Sequence, residues 1–252
     1  MAGMTFWDHL EELRWSILRV VIALAVVLVG CFVALPHIFD PVILGPTTSD
    51  FFLYRWLALA GLGAAAKPFS VDIININVTA QFVTHISTAF WLSLVLVFPY
   101  LVFELWRFVR PALYDNEKKP VRKAFASGTA LFYIGCAVGY CIVFPLTFRF
   151  LAEYQIGAGA IVNQISLNSY IGNFLGIIFV MGVVFEMPML AWALSALGIL
   201  HKDFLKKYRR HAVVVLMALA ALITPSGDPF TLTVVFLPLY LLYELSIAIV
   251  KK

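Results

Sequence analysis

The sequence predicts an all-α protein that crosses a membrane six times, with the last two crossings short. Two observations carry this. Of 252 residues, 62% are apolar and only 13% are charged. A soluble domain of that length has too little interior for so much apolar side chain, so lipid must act as its solvent. The apolar residues also gather into long runs with the charges between them. A helix satisfies its own backbone hydrogen bonds in lipid, which makes helices the natural spanning element.

About 20 apolar residues cross the hydrocarbon core. Such runs fall near 17–35, 78–106, 125–148, 170–197, 212–223 and 230–250. The fifth is only about 12 residues long, and the sixth about 14 before Glu244. Helices that short reach about 18–21 Å and must thin the bilayer or fail to cross it. The turn Thr224-Pro225-Ser226-Gly227-Asp228-Pro229 joins them tightly. Pro99, Pro145, Pro188 and Pro238 lie inside spans. Bent helices favour a cupped bundle over a straight one, with neighbours satisfying the carbonyls that proline frees. Segment 51–66 is apolar but short and carries Arg55. It reads as an amphipathic helix on the outer surface within a 48–67 insertion. Read instead as a seventh span, it would turn the N-terminus outward.

Charge sets the orientation. Arg14, Arg19, Arg107, Arg110, Lys118, Lys119, Arg122, Lys123, Lys202, Lys206, Lys207, Arg209, Arg210, Lys251 and Lys252 fall on one side of the six spans. Only Arg55, Lys67 and Arg149 fall on the other. The positive-inside rule then places both termini in the cytoplasm. The net charge of +4 reflects this topology, and no nucleic-acid partner is expected. Cys31, Cys136 and Cys141 lie in apolar runs at spacings that suit neither a disulfide nor a metal. Gly-rich phosphate loops and nucleophile elbows are absent, so no cofactor and no enzyme chemistry is expected. No internal repeat is evident, and the region before the first span is acidic, unlike a cleavable signal.

Two acidic, aromatic-flanked stretches stand out, 6–14 and 103–119. On the six-span reading, they bring Glu12 and Glu117 to one membrane face. From the residues alone, the plainer role for these glutamates is pairing with Arg14, Lys118 or Lys119. The alternative is capture of a doubly cationic ligand. A planar guanidinium suits a carboxylate bidentately, which lysine cannot match. Pro111, Leu113 and Tyr114 shape the loop before Glu117. Glu186 sits mid-span, where a charge costs at least about 2.5–3.5 kcal/mol, so it should face a partner, water or a hydrogen bond. Gln81, Thr84, His85 and Thr88 share one helical face at i, i+3, i+4 and i+7. Asp228 should cap the last helix, with Pro229 at its first position. Glu104 and Glu244 lie near the cytoplasmic boundary and should be either interfacial or paired with Arg107 and with Lys251 or Lys252.

The motifs resemble the TatC family of twin-arginine translocases over nearly the whole chain. His9-Leu10-Glu11-Glu12-Leu13-Arg14 is similar to the family's N-terminal His-Leu-x-Glu-Leu-Arg. The stretch from Phe108 to Glu117 resembles its first cytoplasmic loop, Phe185-Glu186-Met187-Pro188 its fourth span, and Thr224-Pro225 with Asp228 its last outer turn. Gln81, His85 and Ser87 depart from the family's usual charges at the outer end of span two. The resemblance implies a receptor for folded cargo bearing Arg-Arg signal peptides, in the bacterial inner membrane. Glu12 and Glu117 would recognise the signal, supported by His9, Leu10, Arg14, Pro111, Leu113 and Tyr114. It further implies single-span partners of TatA and/or TatB type, a homo-oligomer within a larger complex, and passage driven by the proton-motive force. Intramembrane contacts would fall to Glu186, Gln81 and His85, and the outer turn to Pro225 and Asp228. The rival reading is a proton-coupled small-solute transporter that relays protons through Glu186 and His85.

Overall fold

The computed structural model describes residues 6–61, 69–112, 115–155, 163–196, 198, 200–224 and 227–250. The side chains of Phe6, Asp8, His9, Ala112, Lys123 and residues 115–121 lie outside that description. The helices are α1 (Phe6–Ile38), α2 (Phe52–Leu59), α3 (Ala80–Val109), α4 (Asp115–Val138), α5 (Phe144–Glu153), α6 (Leu167–Val184), α7 (Met187–Ala196), α8 (Lys202–Lys207), α9 (Arg209–Ile223) and α10 (Pro229–Ile249). Strands β1 (Ile73–Ile74) and β2 (Ile165–Ser166) form one short parallel pair.

Among the described residues, five helical stretches are long and apolar enough to cross a membrane: Leu10–Thr47, Ala80–Val109, Ala124–Glu153, Leu167–Ala196 and Pro229–Ile249. The short α9 is the exception. Its 15 residues reach about 22 Å. By contrast, α10 continues past Glu244 to 21 residues and is longer than its uninterrupted apolar run. The helix carries this carboxylate because Arg209 of α9 pairs with it (Nη2–Oε2 2.5 Å). With 8 residues, α2 is too short to cross.

Proline explains the internal breaks. The third stretch holds a π-turn, Gly139–Val143, with Pro145 just beyond it. The fourth breaks between α6 and α7 at Phe185 and Glu186. There Pro188 has no N–H to give Val184, and its ring crowds that carbonyl. At this level α4 and α6 approach closely. A Cβ on Gly135 would meet the Met181 carbonyl at 2.6 Å, so only glycine lets the two backbones pack there.

Side-chain contacts fix which ends lie together. Arg19 near the start of α1 pairs with Glu104 near the end of α3. Arg209 and Glu244 join the start of α9 to the end of α10, where the Tyr243 hydroxyl also donates to the Leu205 carbonyl (2.7 Å). Phe150 stacks on Phe230 at 4.4 Å, which joins the end of α5 to the start of α10. There Gly227 takes a left-handed φ of 58°, and the Asp228 carboxylate accepts from Thr231 N at 2.8 Å as the cap of α10.

The aromatic core lies toward the end away from the N-terminus. Phe144, Phe148, Tyr170 and Phe174 meet largely edge to face, with centroids 5.0–6.0 Å apart. Such pairs contribute about 0.5–1.5 kcal/mol each beyond burial. Tyr54 of α2 locks a cap onto this core by donating to the Pro145 carbonyl at 2.8 Å. Burial holds its phenol above the ordinary range, so it stays a neutral donor. The Arg149 guanidinium lies over Tyr54 and Phe69 at 5.0 and 5.1 Å and bonds Glu153 at 3.1 Å.

Candidate functional site

The first turns of α1 carry Glu12, Ser16 and Arg19 at i, i+4 and i+7, on one stripe of the helix. Tyr100, Glu104 and Arg107 repeat that spacing on α3. The two stripes meet. Arg19 donates from Nε to both Glu104 oxygens (3.0 and 3.1 Å) and from Nη2 to Oε2 (2.8 Å). The Tyr100 hydroxyl donates to Glu104 Oε1 at 3.1 Å, and Arg19 Nη2 also reaches Ser16 Oγ at 3.0 Å. Arg107, the partner expected for Glu104, stands back at 4.0 Å. Glu104 is 3% exposed. A carboxylate buried to that degree needs this forked, hydrogen-bonded cation to be tolerated.

Glu12 is half-buried. Its Oε2 is shielded from solvent and makes no hydrogen bond among the described residues. Leu10 and Arg14 beside it in sequence are exposed, as is Pro111 in the turn after α3, and the side chain of His9 lies outside the description. Leu113 and Tyr114 also lie outside it. Glu117 falls in the first turn of α4, with its side chain likewise outside. The backbone therefore brings the starts of α1 and α4 to one end of the bundle, since α4 begins just past the turn that closes α3.

A second acidic group lies deeper. Glu186 occupies the break between α6 and α7, and its Oε1 is buried without a hydrogen bond among the described residues. Its other oxygen lies against Gly128 of α4, where a Cβ would stand 2.7 Å away. Its backbone bridges the break, with Glu186 N donating to the Val183 carbonyl at 3.1 Å and the Glu186 carbonyl accepting from Leu190 N at 2.9 Å.

The polar face at the far end of α3 divides. Gln81 is exposed and edges a cleft of about 320 Å³ between α1, α3 and Leu167. Thr84 donates to Asn168 at 3.1 Å. His85 Nε2 lies 2.8 Å from the Phe32 carbonyl, and its ring stacks on Phe32 at 4.0 Å. That carbonyl is free because Pro36, four residues on, has no N–H to give it. A carbonyl only accepts, so Nε2 carries the proton and His85 acts as a fixed donor. Thr88 is buried, with Oγ1 unpaired among the described residues. Asp228 is the α10 cap described above, and Pro225 lies outside the described residues.

The family profile described as "Sec-independent protein translocase protein (TatC)" matches residues 8–238. The chain belongs to the TatC family. The TatC protein of Blattabacterium sp. subsp. Periplaneta americana is 34% identical over 98% of this chain and 94% of its own length. That of Deinococcus radiodurans is 31% identical over 99% of this chain and 86% of its own. Two solved structures of the twin-arginine translocase receptor TatC share the fold. One has a TM-score of 0.71 at 26% identity, over 96% of this chain and 97% of that one. The other, in DDM, has a TM-score of 0.75 at 25% identity, over 97% and 100%. The chain is thus a multi-pass membrane subunit of the Sec-independent protein translocase, and TatC proteins are not a catalytic family.

Against this family background, the Arg19–Glu104–Tyr100 cluster is the feature that motif reading missed. Its signal was present in the matched spacing of the two stripes. Nothing local, however, ties residue 19 to residue 104, and Arg107 was the nearer cation in sequence.

Proposed function

We propose that this chain is the receptor and scaffold of a twin-arginine translocase in the bacterial inner membrane, with both termini cytoplasmic. It takes the Arg-Arg motif of a signal peptide on Glu12 and Glu117. Its single-span partners are of TatA or TatB type, it assembles as several copies in a larger complex, and the proton-motive force drives passage. The observation that supports this best is Glu12. A shielded carboxylate oxygen with no described partner, at the end of the bundle rich in basic residues, is an acceptor awaiting a donor. The ligand arginines match that need in charge and in fork geometry. Six crossings are part of the proposal, with α9 as the short one. Glu186, also without a hydrogen bond for Oε1 among the described residues, is proposed to meet a partner helix or water.

The test uses membranes carrying the full complex and a photo-crosslinkable Arg-Arg signal on a folded reporter. Glu12→Ala with Glu117→Ala should abolish both crosslinking and export while leaving the protein at normal abundance. Crosslinking and export at the parental level would overturn the assignment. The proton-relay alternative finds less support, because His85 is committed to the Phe32 carbonyl through Nε2.

A further inference from the structure

The chain carries its own arginine two turns from the proposed arginine receptor. Side chains on a helix lean toward its N-terminus, and Arg19 does so, with Nη2 on Ser16 Oγ at 3.0 Å. Ser16 stands on the same stripe midway between Arg19 and Glu12. Glu12 lies on that stripe seven residues before Arg19. Yet Arg19 gives Glu12 no hydrogen bond among the described residues. Its Nε and Nη2 are held by Glu104, 3% exposed, which Tyr100 fixes in turn at 3.1 Å.

We infer that Glu104 is a specificity-setting residue: it sequesters Arg19 on α3 and so keeps the chain's own guanidinium out of the arginine site at Glu12. The inference rests on the reading of Glu12 as a ligand carboxylate. The physical argument is competition. An arginine tethered on the same helix is present at high effective concentration, so it would outcompete a peptide arginine unless a better acceptor holds it. Glu104 is that acceptor. It is buried, it takes the guanidinium through two nitrogens, and it sits on a different helix, which draws Arg19 sideways from the α1 stripe. The pair also leaves Arg19 charge-neutralised, so the field at Glu12 remains attractive to a cation.

A purely structural clamp and a sequestering partner differ in one outcome. If Glu104 only pins α1 to α3, removing Arg19 as well cannot repair its loss. If Glu104 sequesters Arg19, removing Arg19 removes the competitor.

The experiment measures binding of a fluorescent Arg-Arg signal peptide to the full chain in nanodiscs. Glu104→Gln should weaken binding by roughly 10–100-fold, the range of one charge-assisted hydrogen bond. Arg19→Gln with Glu104→Gln should return it to near the parental value. Should Glu104→Gln fail to fold, the double variant is compared with Arg19→Lys/Glu104→Gln, which restores a competing cation in a matched background. Only the lysine variant should then bind weakly. The inference is overturned if Glu104→Gln binds as the parent does. It is equally overturned if the double glutamine variant binds as weakly as Glu104→Gln or the lysine variant. Glu12→Gln in the parental chain separates the two layers. Unchanged binding there overturns the receptor reading itself, whereas lost binding there with no rescue in the double variant overturns only the role of Glu104.

Discussion

Glu104, Glu153 and Glu244 each meet an arginine, from α1, from their own helix and from α9 respectively. Glu12 and Glu186 form no ion pair among the described residues; each keeps one buried oxygen without a hydrogen bond there, as does Glu244 beside its paired oxygen. Ion pairing thus separates Glu104 and Glu244, which join helices, and Glu153, which pairs within α5, from Glu12 and Glu186, which are open to a ligand, a partner or water. Asp228 belongs to the structural class. Asp228→Ala should lower stability by about 0.5–2 kcal/mol through loss of the α10 cap, read as a lower unfolding temperature in detergent without loss of signal binding. An unchanged melting curve would show that the cap contributes nothing. The role of Asp228 was legible in the sequence because a cap is local, an acidic residue before a proline at a helix start. The partner of Glu104 was not legible, because the residue that satisfies it lies 85 positions away and is set by helix packing.

Besides the Arg19–Glu104 pair, α1 meets α3 where a defect in one helix is repaired by the other. Pro36 leaves the Phe32 carbonyl without its usual donor, and His85 supplies one from α3. The polar face on α3 was legible in the sequence, but its match to a freed carbonyl on α1 emerges only when the helices meet. A compensation follows. His85→Leu should destabilise the fold by about 1–3 kcal/mol, since a backbone acceptor is left unsatisfied away from water. Adding Pro36→Ala should recover much of that loss, because the substituted residue then offers its own N–H to the Phe32 carbonyl. Thermal unfolding of the two variants in detergent measures this. A double variant less stable than His85→Leu alone would show that the bend at Pro36, and not the freed carbonyl, is what His85 serves. His85→Gln, which keeps a donor, should also preserve export, whereas a proton relay through His85 would not survive it.

The bundle as a whole combines spans of very unequal length. The all-α class and its long spans were legible because apolar run length is a direct readout of bilayer thickness. The cap over the aromatic core was not, since α2 docks through Tyr54 onto a carbonyl of distant Pro145. The mismatch has a consequence for the lipid. If α9 crosses, as proposed, its 15 residues offer about 22 Å against a hydrocarbon core of about 30 Å. The long stretches Leu10–Thr47 and Ala80–Val109 can tilt or bend to fit a thin bilayer, but α9 cannot stretch to fit a thick one. Mismatch costs a fraction of a kcal/mol per ångström, so the chain should be most stable where lipid meets α9 halfway. Reconstitution in phosphatidylcholines of increasing acyl length should give unfolding temperatures that fall as the bilayer thickens beyond that optimum. Inserting one helical turn of leucine and alanine before Thr224 should move the optimum toward thicker membranes. Stability that keeps rising with thickness in the parent chain would show that α9 does not cross, and that the fifth helix lies within one leaflet.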